Sequence, residues 1–146
     1  MPPTYRNPKQ IGGIFIAKLI VTEKPSVAMS YAKVLGVHGR QDGYLEGSGY
    51  IVSWCVGHLV ELAPPSAYGE QYVEWSITDL PILPQKWQYL VSASTKKQFS
   101  VLKKLMHRAD VDTVVNSCDS GREGELIFRL VYQPVSYTHL TLPTIY

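Results

Sequence analysis

Carboxylates gather at two places in this sequence, and each place follows a run rich in β-branched residues. Glu23 comes directly after Lys-Leu-Ile-Val-Thr at positions 18–22, and Asp119, Glu123 and Glu125 come after the run at 111–115. Runs of that kind suit buried strands. In parallel α/β sheets, ligands bind at the carboxyl ends of the strands, so strand-terminal acids remote in sequence can converge there. Hard oxygen donors with no adjacent histidine and no paired cysteine suit Mg²⁺. That ion binds through one or two carboxylates and completes its shell with water and phosphate oxygens. Lys24 and Arg122 stand beside these acids and supply cations for the same phosphate. Gly121 and Gly124 allow a close backbone approach, and a helix N-terminus beyond them favours an anion. Glu23, Asp119, Glu123 and Glu125 are therefore the candidate metal-binding acids, with Mg²⁺ as the cofactor. Any one of these acids, taken alone, more often does no more than cap a helix. Two strand ends carrying the same chemistry, each with its own cation, move the reading toward function.

The elements that must position these residues alternate between strand and helix, the pattern of a sheet covered by helices. The spacing predicts a helix from Glu23-Lys24-Pro25-Ser26, with Pro25 in its first turn, Ser26 as a cap, Val27, Tyr31, Val34 and Leu35 on one face, and Gly36 as terminator. Residues 43–92 alternate in hydropathy and then turn rich in proline and aromatics, which reads as a β-rich insertion with long loops. Thr95 and Gln98 form a candidate capping box before an apolar stripe of Phe99, Leu102, Leu105, Met106 and Ala109. The outer face of that helix carries Lys96, Lys97, Lys103, Lys104 and Arg108. It either meets phosphate or, as is commoner, is a solvated face. A last strand at 111–115 and an apolar helix at 126–132 complete an α/β fold.

The bulk properties exclude more than they select. With 146 residues, 45% hydrophobic and 18% charged, the chain can build one real core and is not a disordered segment. A net charge of +2 is too small to argue for nucleic acid, so that argument rests on motifs. Cys55 and Cys118 are far apart in sequence, which excludes a zinc cluster and gives no disulfide framework; a reducing cytoplasm is the default location. No stretch reads as a signal peptide or a membrane span, and no obligate protein partner is implied. Residues 1–16 read as a loose extension. Val135 to about Thr144 matches the translation of a common transposase sequencing adapter. The expected organisation is therefore 1–16 extension, 17–134 one domain incomplete at its C-terminus, and 135–146 an adapter-derived tail.

Four motifs in order carry a resemblance: Glu23-Lys-Pro-Ser26, Gly57-His-Leu-Val-Glu-Leu62, Trp75 through Leu80-Pro-Ile-Leu-Pro84, and Asp119-Ser-Gly-Arg-Glu-Gly-Glu125. Together they resemble the N-terminal Toprim domain of type IA DNA topoisomerases of the bacterial topoisomerase III kind, over residues 17–133. The resemblance implies a Toprim, Rossmann-like parallel sheet flanked by helices. It implies that Glu23 takes part in proton transfer at the scissile phosphate and in metal binding. Lys24 then stabilises phosphate charge, and Asp119 and Glu123 are the matching metal-site acids. Glu23, Lys24 and Arg122 form the expected catalytic set, and His58, Lys24 and Arg122 the expected DNA contacts. For His58 the alternative is a hydrogen-bonded structural histidine.

A whole protein of this kind would cut one DNA strand through a tyrosine, pass another strand and reseal without ATP, acting on single-stranded regions of DNA. None of the ten tyrosines lies in the family's nucleophile motif, so the fragment itself is expected to be inactive. One departure stands out. The family pattern Asp-x-Asp-x-Glu has Gly121 at its second acid, so a ligand is missing or replaced by water, and Glu125 is the candidate to compensate. The alternatives are a Toprim protein of another type, primase or nuclease-like, and a non-catalytic nucleic-acid-binding module.

Overall fold

A computed structural model describes residues 10–11 and 14–135, with side chains from residue 16 onward. Strand β1 (Gln10–Ile11) pairs antiparallel with β2 (Ile14–Phe15) inside the stretch expected as a loose extension. Then come β3 (Ala17–Thr22), α1 (Pro25–Leu35), β4 (Gly39–Gln41), β5 (Tyr44–Gly47) and β6 (Tyr50–Trp54). Next are β7 (Val60–Leu62), three short 3₁₀ turns between residues 65 and 79, β8 (Tyr89–Val91), α2 (Lys96–Met106), β9 (Val111–Ser117) and α3 (Arg122–Val135). The central sheet has the order β4-β5-β6-β3-β9. Strand β3 runs parallel to both β6 and β9, while β4 and β5 add to β6 as an antiparallel margin. The expected α/β sheet flanked by helices is therefore present, as a mixed sheet with a parallel centre.

Strand β3 explains why it lies at the centre. Successive strand side chains point to opposite faces. Leu19 and Val21 enter one apolar cluster with Leu102 and Leu105 of α2 and Ile127, Phe128 and Val131 of α3. Ile20 enters the other, with Ala28 and Ala32 of α1, Val37, Leu45 and Val52. The sheet thus separates α1 on one side from α2 and α3 on the other. Phe128 and Leu19 are completely buried, and each such side chain stabilises the fold by roughly 1.5–3 kcal/mol through area removed from water.

Several sequence expectations shift. The buried face of α1 is Ala28 and Ala32, while Val34 is 72% exposed and Tyr31 is also exposed. Small residues bring this helix close to the sheet, so the bulkier stripe turns outward. Ser26 lies inside the helix and does not cap it. Lys24 is the N-cap residue, without a side-chain cap, and Gly36 closes the other end in the left-handed conformation, φ 68°. Thr95 and Gln98 form no capping box. The Thr95 hydroxyl bonds the Leu59 and Ser92 carbonyls, and Gln98 Nε2 donates to Gly43 O, Ser53 Oγ and Trp54 O. These two residues moor α2 to the sheet and to the loop before β7. Ala109 falls beyond the helix end and is exposed. The β-rich insertion is smaller than expected, because β5 and β6 belong to the central sheet; only the part from about residue 56 to 92, with its β7-β8 pair, stands apart. Helix α3 starts at Arg122 and runs through Pro134 to buried Val135. The rest of the expected tail, 136–146, lies outside the described residues. Among the described residues, no helix is long and apolar enough to cross a membrane.

Candidate functional site

Strand register assembles the site. Thr22 is in register with Ser117 of β9 and with Trp54 of β6, all running in parallel, so three strands end side by side. The next residues are Glu23 after β3, Cys55 after β6, and Cys118 and Asp119 after β9. The turn out of β3 is held by two short bonds. The Thr22 hydroxyl donates to Lys24 O at 3.0 Å, and the Cys55 backbone N–H donates to Thr22 O at 2.7 Å. Glu23 is thereby kept largely enclosed, its side chain 14% exposed, with Lys24 Nζ 3.6 Å from its Oε1. The lysine itself is mostly in solvent.

The turn out of β9 is an Asx turn, with Asn116 Oδ1 accepting from the Cys118 backbone N–H at 3.1 Å. It delivers Asp119 to the first turn of α3. Gly124 is buried there against the Asp119 backbone, and a Cβ at this position would overlap the Asp119 carbonyl. Glycine is what permits helix and loop to approach so closely. The Asp119 carboxylate and the Arg122 guanidinium have no hydrogen-bond or ion-pair partner among the described residues. Both are exposed at the amino end of α3, where the helix dipole favours negative charge.

The remaining acids are spoken for in different degrees. Glu123 Oε1 lies 3.5 Å from His58 Nε2, so the Gly57-His58 loop reaches the acidic turn from the annex formed by residues 56–92, and His58 is about one-third exposed. The distance suits an ion pair only when the imidazole is protonated. Glu125 is fully engaged: Oε2 accepts from Asn116 Nδ2 at 2.8 Å and Oε1 from Arg129 Nε at 2.6 Å. It braces the turn through both oxygens, while its side chain stays half exposed. The Glu125–Arg129 link is an i, i+4 pair and was readable from spacing; the Asn116 contact was not. At Gly121 itself an added Cβ would meet nothing within 4 Å.

Glu23 and Asp119 are thus brought to neighbouring strand ends, with Lys24, Arg122, His58 and Glu123 at the rim. Among the described residues, no three His, Cys, Asp or Glu side chains gather closely enough to surround one ion. The donor chemistry nevertheless fits Mg²⁺, which needs only one or two carboxylates when water and phosphate oxygens fill the remaining positions. Arg108, by contrast, leaves the phosphate-facing set. It is tied to Glu46 and Asp110, not presented on an open basic face.

Beneath the acids lies a pair that sequence reasoning passed over. Cys55 and Cys118 share the apolar cluster of that face. The Cys118 side chain, followed by burial and by the nearby Glu23 charge, pushes the Cys55 thiol well above the usual thiol range. Nothing in the spacing signals it, because the pairing depends on β6 and β9 both ending level with β3.

Comparisons with known proteins identify the family. The family description "Toprim domain" matches residues 18–143. The chain is 47% identical over 116 residues to the DNA topoisomerase 3 of Shouchella clausii, covering 80% of this chain and 16% of that protein. It is 44% identical over 120 residues to the DNA topoisomerase 3 of Bacillus licheniformis, covering 82% of this chain and 16% of that protein. The Bacillus subtilis protein of the same name is 44% identical over 115 residues, with 79% and 16% covered. The chain therefore spans about a sixth of the length of these relatives.

Proposed function

Because the chain belongs to the Toprim domain family, we propose that it is the acid-bearing part of a DNA topoisomerase of the topoisomerase III kind, acting on single-stranded regions of DNA. The observation that carries this reading is the juxtaposition of Glu23 and Asp119 at the ends of two adjacent parallel strands. Glu23 has Lys24 at 3.6 Å, and Arg122 follows Asp119 by three residues in sequence. The similarity to proteins named DNA topoisomerase 3 supports the substrate class.

In this reading Glu23 and Asp119, with Glu123 at the rim, hold Mg²⁺, which supplies positive charge beside a DNA phosphate. The largely enclosed Glu23 moves a proton at the scissile phosphate, where its shelter from water strengthens every charge interaction. Lys24 and Arg122 bind and orient the phosphate oxygens. His58 reaches the DNA strand from the annex while its pairing with Glu123 sets its position. Strand cleavage itself belongs to a tyrosine of another part of the protein. The work is done in the cytoplasm.

The test uses a full-length protein that carries this domain. It is expected to relax negatively supercoiled plasmid without ATP in a Mg²⁺-dependent way, and Glu23→Gln is expected to lower the rate by about 100-fold or more. A gene product that binds single-stranded DNA but neither cleaves nor relaxes it would establish the alternative, a non-catalytic binding module. Gly121 in place of an acid is the observation that keeps that second reading in play.

A further inference from the structure

We propose that the groove between α1 and the β4–β5 hairpin docks an acidic, extended peptide of a partner protein. The inference rests on how the sheet is covered and does not depend on the reading of the acids at the strand ends.

A helix is about 10–12 Å across and neighbouring strands lie about 4.8 Å apart, so one helix covers roughly two strands. Helix α1 packs on β3 and β6, which leaves the same face of β5 and β4 without a helix. The register sets Arg40 of β4 opposite Leu45 of β5, and Leu45 opposite Val52 of β6. The three therefore share the α1 face. Between the helix and this margin lies an open groove of about 280 Å³. Its floor is aliphatic, made of Met29, Ala32, Val37 and Leu45, all part of the apolar cluster on this side. Its rim is basic, made of Lys33, His38 and Arg40, each exposed.

Charge is sorted between the two faces of the hairpin. From Lys24 to Gln41 the sequence holds no acid. The two acids that follow are bound on the side of α2, where Asp42 meets Lys97 at 2.8 Å and Glu46 meets Arg108 at 2.6 Å. On the α1 side, the Lys33, His38 and Arg40 side chains have no hydrogen-bond or ion-pair partner among the described residues. A helix-end role accounts for Lys33, which lies in the last turn of α1. It does not account for the two bases outside the helix or for the apolar floor beneath them.

The lining selects the occupant. Unpaired bases call for carboxylates or phosphates. Single-stranded nucleic acid sites offer aromatic faces on which bases stack, and no aromatic residue lines this groove. Aliphatic side chains fit the floor instead. Strand β4 adds a backbone partner, since it is the margin of the sheet and its three residues are exposed. An extended segment paired along such an edge presents every second side chain to the groove. An acidic peptide with aliphatic residues between its acids satisfies floor, rim and edge together.

The test titrates the 146-residue chain into a fluorescein-labelled octapeptide and reads anisotropy. Pairs of aspartates alternate with pairs of leucines in this probe, so that each face of the extended peptide shows both. Saturable binding is expected, weakened at least about tenfold by Lys33→Glu or Arg40→Glu, which set like charge against the acids. Both positions are exposed, and urea melts of the two variants are expected to overlay that of wild type. Lys103→Glu makes the same charge change on the outer face of α2 and should leave the affinity within about twofold. Serine in place of the probe's leucines should weaken binding at least about fivefold through lost apolar burial. Four results would each overturn the proposal. They are no saturable binding, an equal loss with Lys103→Glu, equal affinity for the serine probe, or an octathymidylate that binds more tightly than the peptide and is weakened by the same two substitutions. The last would give the groove to nucleic acid.

Discussion

Two ionic constellations occupy opposite ends of the same sheet, and they treat their charges in opposite ways. At the end where β9 begins, Arg108 holds Glu46 of β5 through NH1 at 3.1 Å and NH2 at 2.6 Å, and Asp110 through Nε at 2.9 Å and NH2 at 2.6 Å. Every group there is paired, and the side chains are only about one-third exposed. At the end where β3 and β9 finish, Asp119 and Arg122 have no partner among the described residues. Glu23 meets only a loosely placed lysine. Saturated charge ties elements together, whereas charge left open at a strand end is free to engage something that is not protein. The contrast predicts that substitutions at the two ends fall on different observables.

The largest effects are expected at the open end. Glu23→Gln and Asp119→Asn preserve shape and remove charge. In a full-length protein carrying this domain each should reduce Mg²⁺-dependent religation by about 100-fold. For the exposed Asp119, thermal stability should move by less than about 0.5 kcal/mol, as for surface changes without a structural partner. Urea melts and single-turnover religation, run on the same preparations, separate the two quantities. A large loss of stability for Asp119→Asn would erase the distinction between the two ends.

The reverse pattern is expected at the closed end. Arg108→Met should cost about 1–2 kcal/mol in a urea melt, a figure that allows for the partial exposure of the cluster, and leave metal affinity unchanged. The pH dependence sharpens this. The hydrogen bond from Arg108 holds the Asp110 carboxyl below the usual carboxylate range. A carboxyl whose folded-state pKa is depressed contributes stability that is complete above its unfolded value and lost as pH falls through the folded value. The gap between wild type and Arg108→Met should therefore be full at neutral pH and shrink as the pH is taken below the ordinary carboxylate range. A gap that stays constant down to the acid transition would mean that Arg108 acts through packing of its stem alone.

The open end was more legible in the sequence than the closed one, and the physics explains why. Glu23 and Asp119 each follow a β-branched run, so a local pattern places each at a strand end, and the parallel arrangement brings the ends together. Arg108 and Glu46 are far apart in sequence and meet only because β5 lies in the central sheet, which alternating Tyr, Leu and Gly residues could not disclose. The same limit hid Cys55 and Cys118. It also misdirected the face of α1, since hydropathy marks Val34 and Tyr31 as buried while close packing on Ile20 and Val52 selects Ala28 and Ala32. Asn116 escaped notice for a related reason: its two roles, bracing Glu125 and closing the turn to Cys118, are set by geometry at a strand end rather than by periodicity.

The smallest expected effect probes Gly121, the position at which the chain departs from the family pattern. An added Cβ meets nothing within 4 Å there, and the residue's backbone is not in the left-handed region. Gly121→Asp should therefore fold normally, with stability within about 0.5 kcal/mol of wild type. The new carboxylate would project from the loop between Asp119 and the first turn of α3, where the helix dipole and Arg122 both favour negative charge. The added carboxylate should tighten Mn²⁺ binding about three- to tenfold by calorimetry through one more hard ligand. Unchanged affinity would place the ion away from the 119–123 turn and leave Glu23 as its main protein ligand. Tighter binding that is abolished by Asp119→Asn in the same chain would put both side chains on one ion, at the end of the sheet where charge was left open.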